Sequence, residues 1–368
     1  MKQIKLNITT RDGKYPIIIG SNLTSNLSKI FRLNSIDFEK CFIVLDKNIP
    51  KKFVSNIKKS LKNKKIFVFF FNASEKNKNL NSINKILEIL LENNFSRSDC
   101  LISLGGGITG DVSGFAASIF KRGLKFINIP TTLLAQVDSS IGGKTGINSK
   151  YGKNLIGSFY QPSLVITDTM FLNSLSKREI ICGYGEILKH SLIDNKKFFN
   201  FLNENLNKIL NLSSPFIEKA IYESCKIKKK VVEKDEKEKG LRKILNFGHT
   251  FAHAYEASLS YSQKLNHGEA VILGINTALN FSLEKNMLNK KEFNLIVNHI
   301  KNSGLPFSVK KYFSIKDLNK ILSFMLKDKK NNSEKISLVL LKKIGKPLFN
   351  KQYTKKELNL FLKKFLTN

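Results

Sequence analysis

The first half of the chain alternates between short, continuous apolar runs and segments with helical periodicity. Continuous apolar strands are typical of a parallel sheet that is buried on both faces. Between them, residues 80–91 repeat apolar side chains every three or four positions, as an amphipathic helix does. The alternation predicts an open, Rossmann-like α/β sheet that binds ligands at the carboxyl ends of its strands. The predicted strands are residues 4–9, 15–19, 41–45, 66–71, 100–104, 126–129 and 164–167.

The strand signal nearly disappears beyond Ser174. Helical periodicity then dominates as far as Leu322, and residues 336–341 form one late predicted strand. A chain of 368 residues exceeds one ordinary hydrophobic core, so we expect two domains. The sequence predicts an α/β domain over residues 1–172 and a mainly α-helical domain over residues 173–368.

The formal net charge of +33 raises the possibility of nucleic-acid binding, because basic surfaces displace counterions from phosphates. The lysines are scattered along the whole chain, and no basic run alternates with aromatic residues that could stack on bases. We therefore expect no nucleic-acid partner. Residues 101–120 carry five glycines and Asp111, which argues against a membrane span. Four scattered cysteines and the lack of an apolar leader favour a cytoplasmic protein.

A glycine-rich turn follows the predicted strand 100–104. Residues 105–107 are all glycine and precede a helix that we expect to begin near Asp111. Glycines let the backbone approach a ligand, and a helix start supplies free N–H groups that suit a pyrophosphate. A second glycine loop at residues 138–146 adds Lys144, but neither loop has the spacing of a P-loop or a Rossmann fingerprint. We therefore expect a dinucleotide site of another kind.

Further candidate cofactor groups stand just beyond other predicted strands. Asp46 could accept hydrogen bonds from ribose hydroxyls. Glu75 and Lys78, taken alone, are typical of solvated loop charges, whereas Thr131 and Thr132 are equally typical of helix caps.

Histidines and a carboxylate cluster in the second half of the chain. His249 and His253 are four residues apart and so share one helix face. Glu186 lies close to His190 in sequence, and His267 begins another helical run. One carboxylate with two histidines is a familiar catalytic zinc set that leaves a coordination position open. The residues alone leave open which of the four histidines are ligands, and the absence of HExxH disfavours a zincin protease.

Taken together, several segments resemble the 3-dehydroquinate synthases of the sugar-phosphate cyclase family. The resemblance implies an NAD-binding first domain, a helical second domain with a divalent metal, usually zinc but with cobalt possible, and an active site between them. It also implies a homodimer. The segments that carry it are residues 105–111, 114–117, 129–146, 152–157, 183–190, 240–250 and 267–270.

The resemblance also implies roles for individual residues. The implied metal ligands are Glu186, His249 and His267. The implied NAD-binding residues are Asp46, Glu75, Lys78, Gly105, Gly106, Gly107, Asp111, Thr131, Thr132, Lys144 and Lys153. The implied substrate-binding residues are Arg122, Asp138, Asn154, Lys189, Lys228, Arg242, Asn246, His253 and one lysine of the pair Lys329–Lys330. The resemblance leaves open which lysine of the pair it is, and we choose Lys330. The implied catalytic residues are His253, Glu238 and Lys144, the first two in proton transfer.

The reaction that the resemblance implies converts 3-deoxy-D-arabino-heptulosonate 7-phosphate into 3-dehydroquinate and phosphate, a step of aromatic amino acid biosynthesis. It would proceed by transient oxidation with NAD, β-elimination of phosphate, re-reduction, ring opening and aldol closure. The arginine and lysine side chains suit the carboxylate and phosphate of this anionic substrate.

Three other functions remain as alternatives. A metal-dependent polyol dehydrogenase would accumulate NADH, but a neutral polyol needs no cluster of cations. A related cyclase for another sugar phosphate would differ only in its substrate residues. A basic nucleic-acid-binding protein without catalysis would bind arbitrary DNA with a steep salt dependence.

Overall fold

The computed structural model describes residues 3–262, 264–327 and 335–367. The chain divides into two compact units. The first, called here the α/β unit, comprises Met1–Ile180 and Ile217–Lys237. The second, called the helical unit, comprises Ile181–Phe216 and Glu238–Asn368. This division differs from the predicted boundary between residues 172 and 173, chiefly because residues 217–237 belong to the α/β unit.

A seven-stranded sheet forms the core of the α/β unit, and a separate two-stranded hairpin accompanies it. The strands of this unit are β1 (Ile4–Thr9), β2 (Lys14–Gly20), β3 (Lys40–Asp46), β4 (Lys65–Phe71), β5 (Cys100–Gly105), β6 (Lys125–Pro130), β7 (Lys144–Ser149), β8 (Gly152–Phe159) and β9 (Leu164–Asp168). The order in the large sheet is β1-β2-β9-β6-β5-β3-β4, and only β1 and β2 pair antiparallel within it. The predicted open, mostly parallel sheet is confirmed.

The sheet is covered on both faces, and its central strands are largely apolar. In β3, Cys41 and Ile43 pack into one hydrophobic cluster, whereas Phe42 and Val44 pack into the cluster on the opposite face. Successive strand residues point to opposite faces, so a strand buried on both faces needs a continuous apolar run. This explains why strands were predictable from uninterrupted hydrophobicity here.

Helices make up the rest of the described regular structure, apart from short 3-10 and π turns and one further hairpin. The helices are α1 (Leu27–Leu33), α2 (Lys51–Ser60), α3 (Leu80–Glu92), α4 (Gly107–Ile119), α5 (Lys177–Asp194), α6 (Lys196–Glu204), α7 (Leu206–Leu210), α8 (Phe216–Lys234), α9 (His249–Ser258), α10 (His267–Glu284), α11 (Lys290–Asn302), α12 (Leu318–Leu326) and α13 (Lys355–Thr367). The hairpin of the helical unit consists of β10 (Lys335–Lys343) and β11 (Lys346–Thr354).

Helix α8 belongs to the α/β unit because its polar side chains bond to that unit. Glu233 accepts a hydrogen bond from the backbone N–H of Thr9 at 2.7 Å, and the Lys228 ammonium donates to Asp138 at 2.5 Å. The buried Cys225 thiol donates to the carbonyl of Gln136 at 3.4 Å. Helical periodicity alone could not reveal these partners, since they lie about 90 or more residues away in sequence.

Two strand pairs contain members that the sequence did not predict. Strands β7 and β8 pair around facing glycines, Gly146 and Gly157. Strand β11 is rich in polar side chains and pairs with the predicted late strand β10. Exposed, polar strands lack the apolar pattern on which strand prediction depends. No helix within the described part of the chain is long and apolar enough to cross a membrane.

His299 in α11 is a buried histidine whose ring connects two other polar groups. Its Nε2 lies 2.8 Å from the Tyr184 hydroxyl, and its Nδ1 lies 3.0 Å from Oδ1 of Asn203. A neutral ring satisfies both contacts, with Nδ1–H donating to Asn203 and Nε2 accepting from Tyr184. Burial lowers the pKa of the His299 imidazole to about 4.

The depressed pKa of His299 predicts a loss of stability in acid. Between about pH 6.5 and pH 4 the unfolded chain binds a proton that the folded chain does not bind. The free energy of unfolding therefore falls as the pH falls through this window, by about 2 kcal/mol at pH 5 relative to pH 7.5. Urea titrations at both pH values would measure it. We expect the free energy of unfolding of His299→Gln to lack this pH-dependent contribution of about 2 kcal/mol. If the variant kept the full wild-type pH dependence, His299 would not be its source.

Candidate metal and nucleotide sites

Glu186, His249 and His267 come together within the helical unit, on α5, α9 and α10. One potential ligand atom from each of them lies within 4.8 Å of the others. Nε2 of His249 is 3.8 Å from Oε1 of Glu186, and the Nδ1 of the same ring lies 3.3 Å from the carbonyl oxygen of Phe247. With Nδ1–H donating to that carbonyl, Nε2 presents a lone pair toward Glu186.

The carboxylate of Glu186 is the strongest sign that this cluster fits a cation. Glu186 is 1% exposed, and neither carboxylate oxygen accepts a hydrogen bond of ordinary geometry. The ammonium of Lys189 forms an ion pair with Oε2 but is not placed as a hydrogen-bond donor. An incompletely satisfied buried carboxylate is costly, and a divalent metal would offset that cost. Two imidazoles and one carboxylate are a donor set that zinc accepts, with one position left open.

Glycine contacts bring the three helices close enough for this cluster to form. Gly248 precedes α9 with a φ of +81°, and a Cβ at Gly274 of α10 would lie 2.2 Å from the Gly248 carbonyl oxygen. A Cβ at Gly268 would lie 2.4 Å from the Cα of Cys182 on α5. The backbones therefore touch where side chains would otherwise separate them, and His249 lies at one of these contacts.

The start of α10 is fixed by a capping box. Asn266 accepts a hydrogen bond from the N–H of Glu269, and the Glu269 carboxylate accepts one from the N–H of Asn266 at 3.0 Å. The Cys182 thiol also donates to Oδ1 of Asn266. Since His267 is the first residue of this helix, the cap sets the position of its backbone.

Two further side chains of α9 lie near the cluster. The His253 ring is centred 5.5 Å from the His249 ring and 6.3 Å from the His267 ring. Glu256, 6% exposed, places Oε2 3.0 Å from Nδ1 of His267. Sequence reasoning missed Glu256, although its spacing of seven residues from His249 was a readable signal of a shared helix face. His190, one turn beyond Glu186 on α5, is fully buried.

The remaining predicted residues of the helical unit include two buried cations and a paired acid. Arg242 is 2% exposed and Lys189 is 1% exposed. Asn246 donates from Nδ2 to Oε1 of Glu238 at 2.8 Å, and Glu238 adopts a positive φ of 57°. Buried guanidinium and ammonium groups suit an anionic ligand. Lys329 and Lys330 lie outside the described residues.

In the α/β unit, the candidate nucleotide groups follow four adjacent strands. Asp46 ends β3, Lys78 follows β4, Gly105 ends β5, and Thr131 follows β6. These strands are parallel neighbours, so their carboxyl ends share one edge of the sheet. Ligands of open α/β sheets bind at this edge. The arrangement fits a dinucleotide.

Helix α4 begins at Gly107, so the expected start near Asp111 is wrong. The third glycine continues into the helix because Gly106 already serves as the N-cap residue in an extended conformation. A Cβ at Gly106 would meet Thr132 at 3.2 Å, and one at Gly107 would meet Ser139 at 3.0 Å. The helix start therefore lacks side chains, as close approach by a phosphate requires.

Asp111, in the second turn of α4, belongs to a polar group with the buried Lys78 and the exposed Asn154. The Lys78 ammonium forms an ion pair with Asp111 and donates to Oδ1 of Asn154 at 2.6 Å. Burial raises the pKa of the Asp111 carboxyl, and the Lys78 charge opposes this rise. Lys78 is 4% exposed, so it is not the solvated loop charge that its sequence position alone suggested.

The other predicted site residues of the α/β unit make separate polar contacts or are exposed. Asn148 donates to Oε2 of Glu75 at 2.7 Å, and Lys153 lies 3.4 Å from Oε1 of the same carboxylate. The Thr132 hydroxyl accepts a hydrogen bond from the Ala135 N–H. It therefore acts as a helix cap, which was one of the two roles considered for it from the sequence. Lys228 pairs with Asp138, whereas Arg122 and Lys144 are exposed.

Comparison with known proteins gives matches over nearly the whole chain. Residues 68–182 match the model of the 3-dehydroquinate synthase N-terminal domain, and residues 183–331 match that of the C-terminal domain. A curated 3-dehydroquinate synthase of Pelagibacter ubique (strain HTCC1062) is 67% identical over 367 residues, covering 100% of both chains.

Solved structures of similar fold include two synthases. A 2-deoxy-scyllo-inosose synthase complexed with carbaglucose-6-phosphate, NAD+ and Co2+ has a TM-score of 0.88 at 24% identity, covering 98% of this chain and 100% of that one. The 2-epi-5-epi-valiolone synthase of Streptomyces hygroscopicus subsp. jinggangensis 5008, with NAD+ and Zn2+ bound, has a TM-score of 0.84 at 22% identity, covering 97% and 98%. At these identities the two structures support the fold alone.

Proposed function

Because the chain belongs to the 3-dehydroquinate synthase family, we propose that it converts 3-deoxy-D-arabino-heptulosonate 7-phosphate into 3-dehydroquinate and phosphate. In this proposal it acts as a carbon–oxygen lyase in the cytoplasm and as a homodimer. The observation that carries the proposal is the meeting of Glu186, His249 and His267 around a buried, incompletely satisfied carboxylate. Such a site fits a divalent metal, which the proposed chemistry needs.

Both groups that the reaction needs have candidate sites in this chain. Glu186, His249 and His267 would hold zinc or cobalt, and the carboxyl edge of β3, β4, β5 and β6 would hold NAD. Bound NAD would supply reversible hydride transfer within one turnover, and a bound metal would supply Lewis acidity toward substrate hydroxyls. Glu186 and two neutral imidazoles carry one negative charge, so a divalent ion keeps a net positive charge for that purpose.

We assign proton transfer to His253 and Glu238, and a position at the cofactor–substrate junction to Lys144. His253 lies one helical turn beyond the ligand His249, with its ring 5.5 Å from that ring. Asn246 orients Glu238 through the 2.8 Å hydrogen bond to Oε1. A general acid or base must be held within hydrogen-bonding reach of the reacting proton, and both residues belong to the unit that carries the metal ligands.

The anionic parts of the substrate have buried cationic partners. Arg242 and Lys189 lie in the helical unit, and Lys228 lies in the α/β unit, all of them at most 5% exposed. A planar guanidinium can bind a carboxylate or a phosphate through two parallel hydrogen bonds. A neutral polyol would need none of these charges, so they favour the cyclase over a polyol dehydrogenase. Arg122, Asp138, Asn154, Asn246 and Lys330 complete the proposed substrate set.

The proposal predicts phosphate release without net consumption of NAD. We would mix the purified protein with the heptulosonate phosphate, zinc and NAD at a small fraction of the substrate concentration, and follow phosphate and NADH absorbance together. Phosphate should be released from all of the substrate while NADH does not accumulate, and a chelator should stop the reaction. A dehydrogenase would instead accumulate NADH with glycerol, which serves as the control substrate. Steady NADH formation, or indifference to the chelator, would refute the proposal.

A further inference from the structure

One face of α9 presents three functional groups in a row. His249, His253 and Glu256 occupy positions i, i+4 and i+7, which lie on the same face of an α-helix. The first is a proposed metal ligand and the second a proposed proton carrier. Glu256 has no part in the reaction as proposed above, although it is 6% exposed and ionisable. A buried carboxylate with no evident task needs a physical reason, since its desolvation is costly.

The contact made by Glu256 suggests that reason. Its Oε2 lies 3.0 Å from Nδ1 of His267, the first residue of α10. The His267 side chain is 43% exposed, so its ring is not confined by packing alone. A hydrogen bond from Nδ1–H to a carboxylate fixes the rotation of an imidazole and leaves the lone pair on Nε2. Such a ring is oriented for metal binding through Nε2 and is a stronger base than a free imidazole.

The two proposed histidine ligands are supported in different ways. Nδ1 of His249 faces the carbonyl oxygen of Phe247, only two residues away in the chain. Nδ1 of His267 faces a carboxylate on a different helix. A backbone carbonyl moves with its own segment and carries no net charge, whereas Glu256 brings a negative charge and connects α9 to the start of α10. The support of His267 can therefore be removed by a single substitution that leaves the ligand itself intact.

We propose that Glu256 is a positioning residue for the metal site: it holds His267 in the orientation and tautomer that present Nε2 to the ion. This inference rests on the proposed metal site, but it concerns metal affinity rather than the reaction. In this proposal Glu256 acts through His267 and is not itself a metal ligand.

The test compares metal binding by Glu256→Leu and Glu256→Gln in the full-length protein. Zinc affinity would be measured by competition with a chromophoric chelator, starting from metal-free protein. We expect Glu256→Leu to weaken zinc binding by about 10-fold to 100-fold, as loss of outer-shell partners of metal ligands does. Glu256→Gln should keep more of the affinity, because its amide oxygen can still accept from Nδ1. The matched control is Glu284→Gln on α10, where a carboxylate lies 3.9 Å from Lys364. It should bind zinc like the wild type.

Two further measurements separate positioning from a general structural role. Thermal unfolding of the metal-free proteins reports folding, and the absorption spectrum of bound Co2+ reports ligand geometry. The proposal expects a changed cobalt spectrum in Glu256→Leu with little change in unfolding of the metal-free protein. Wild-type zinc affinity in Glu256→Leu would overturn it. A loss of affinity matched by unfolding of the metal-free protein in both variants, with an unaltered cobalt spectrum, would also overturn it.

The outcomes also distinguish this inference from the proposed function. Unchanged zinc affinity in both variants, with normal phosphate release, would refute only the role of Glu256. Tight zinc binding by the wild type without any phosphate release would refute only the proposed reaction.

Discussion

Replacing His249 by alanine is expected to abolish stoichiometric zinc binding and to lower kcat/KM for phosphate release at least about 10³-fold. The reason is geometric. In the proposed site His249 would supply one of three donors, and its Nε2 is the nitrogen that lies 3.8 Å from Oε1 of Glu186. The two remaining donors would leave the ion weakly held, and the substrate hydroxyls would lose their Lewis acid. Metal analysis of the purified variant and a continuous phosphate assay measure the two effects.

The control for this prediction is another buried histidine of the same unit. His299→Gln removes an imidazole that contacts Tyr184 and Asn203, and it should keep one zinc per chain. The His249→Ala variant should still bind NAD, because the proposed nucleotide residues lie in the α/β unit. Retention of stoichiometric zinc by His249→Ala would refute the ligand assignment.

Replacing Gly274 by alanine is expected to destabilise the helical unit by about 3 kcal/mol and to reduce activity by about 10²-fold. The added Cβ would lie 2.2 Å from the Gly248 carbonyl oxygen and 2.9 Å from the Ala252 nitrogen. Both are backbone atoms of the α9 start, so relief requires α9 to move rather than a side chain to rotate. His249 follows Gly248 directly and would move away from Glu186. Alanine's better helix propensity, about 1 kcal/mol, does not offset this.

The reverse substitution one turn further along α10 is the matched control. Ala278→Gly removes a buried methyl group and weakens the helix, at about 2 kcal/mol. It displaces no backbone, so zinc content should stay at one per chain. Urea unfolding and metal analysis of both variants decide the question. Full zinc occupancy in Gly274→Ala would show that the contact between α9 and α10 does not position the ligand.

The sequence predicted the large sheet well because most of its strands contain nearly continuous apolar runs. Residues 41–45 and 100–104 are apolar throughout or nearly so, and they form the buried centres of β3 and β5. Strands β7 and β8 escaped prediction because glycine, lysine and asparagine dominate them, and their pairing depends on facing glycines. The difference between the predicted domain boundary and the two compact units has a similar origin, since the helical pattern of α8 carries no sign of the sheet strand to which Glu233 bonds.

Part of the candidate site could likewise be predicted from the sequence, and part of it could not. Spacing indicated that His249 and His253 share a helix face, but it left four histidines as possible ligands. The resemblance selected Glu186, His249 and His267, and the structure brings these three within 4.8 Å. Spacing indicates that Glu256 shares a helix face with His249, but it does not reveal the partner of Glu256. That partner, His267, is eleven residues away, across a loop and in another helix. Likewise, the polar partners of the buried Lys78 are Asp111 and Asn154, both more than 30 residues distant in sequence.

The assignment of α8 to the α/β unit bears on how the chain reaches its folded state. The polypeptide leaves that unit after Ile180, returns at Ile217 and leaves again after Lys237. The first unit is therefore still incomplete when its seven-stranded sheet has been synthesised, because the partners of Asp138 and of the Thr9 amide are supplied by Lys228 and Glu233. Domains that are continuous in sequence can fold one after another on the ribosome. Here residues 181–216, which belong to the second unit, are synthesised before α8. Part of the second unit therefore leaves the ribosome before the first unit has all of its residues.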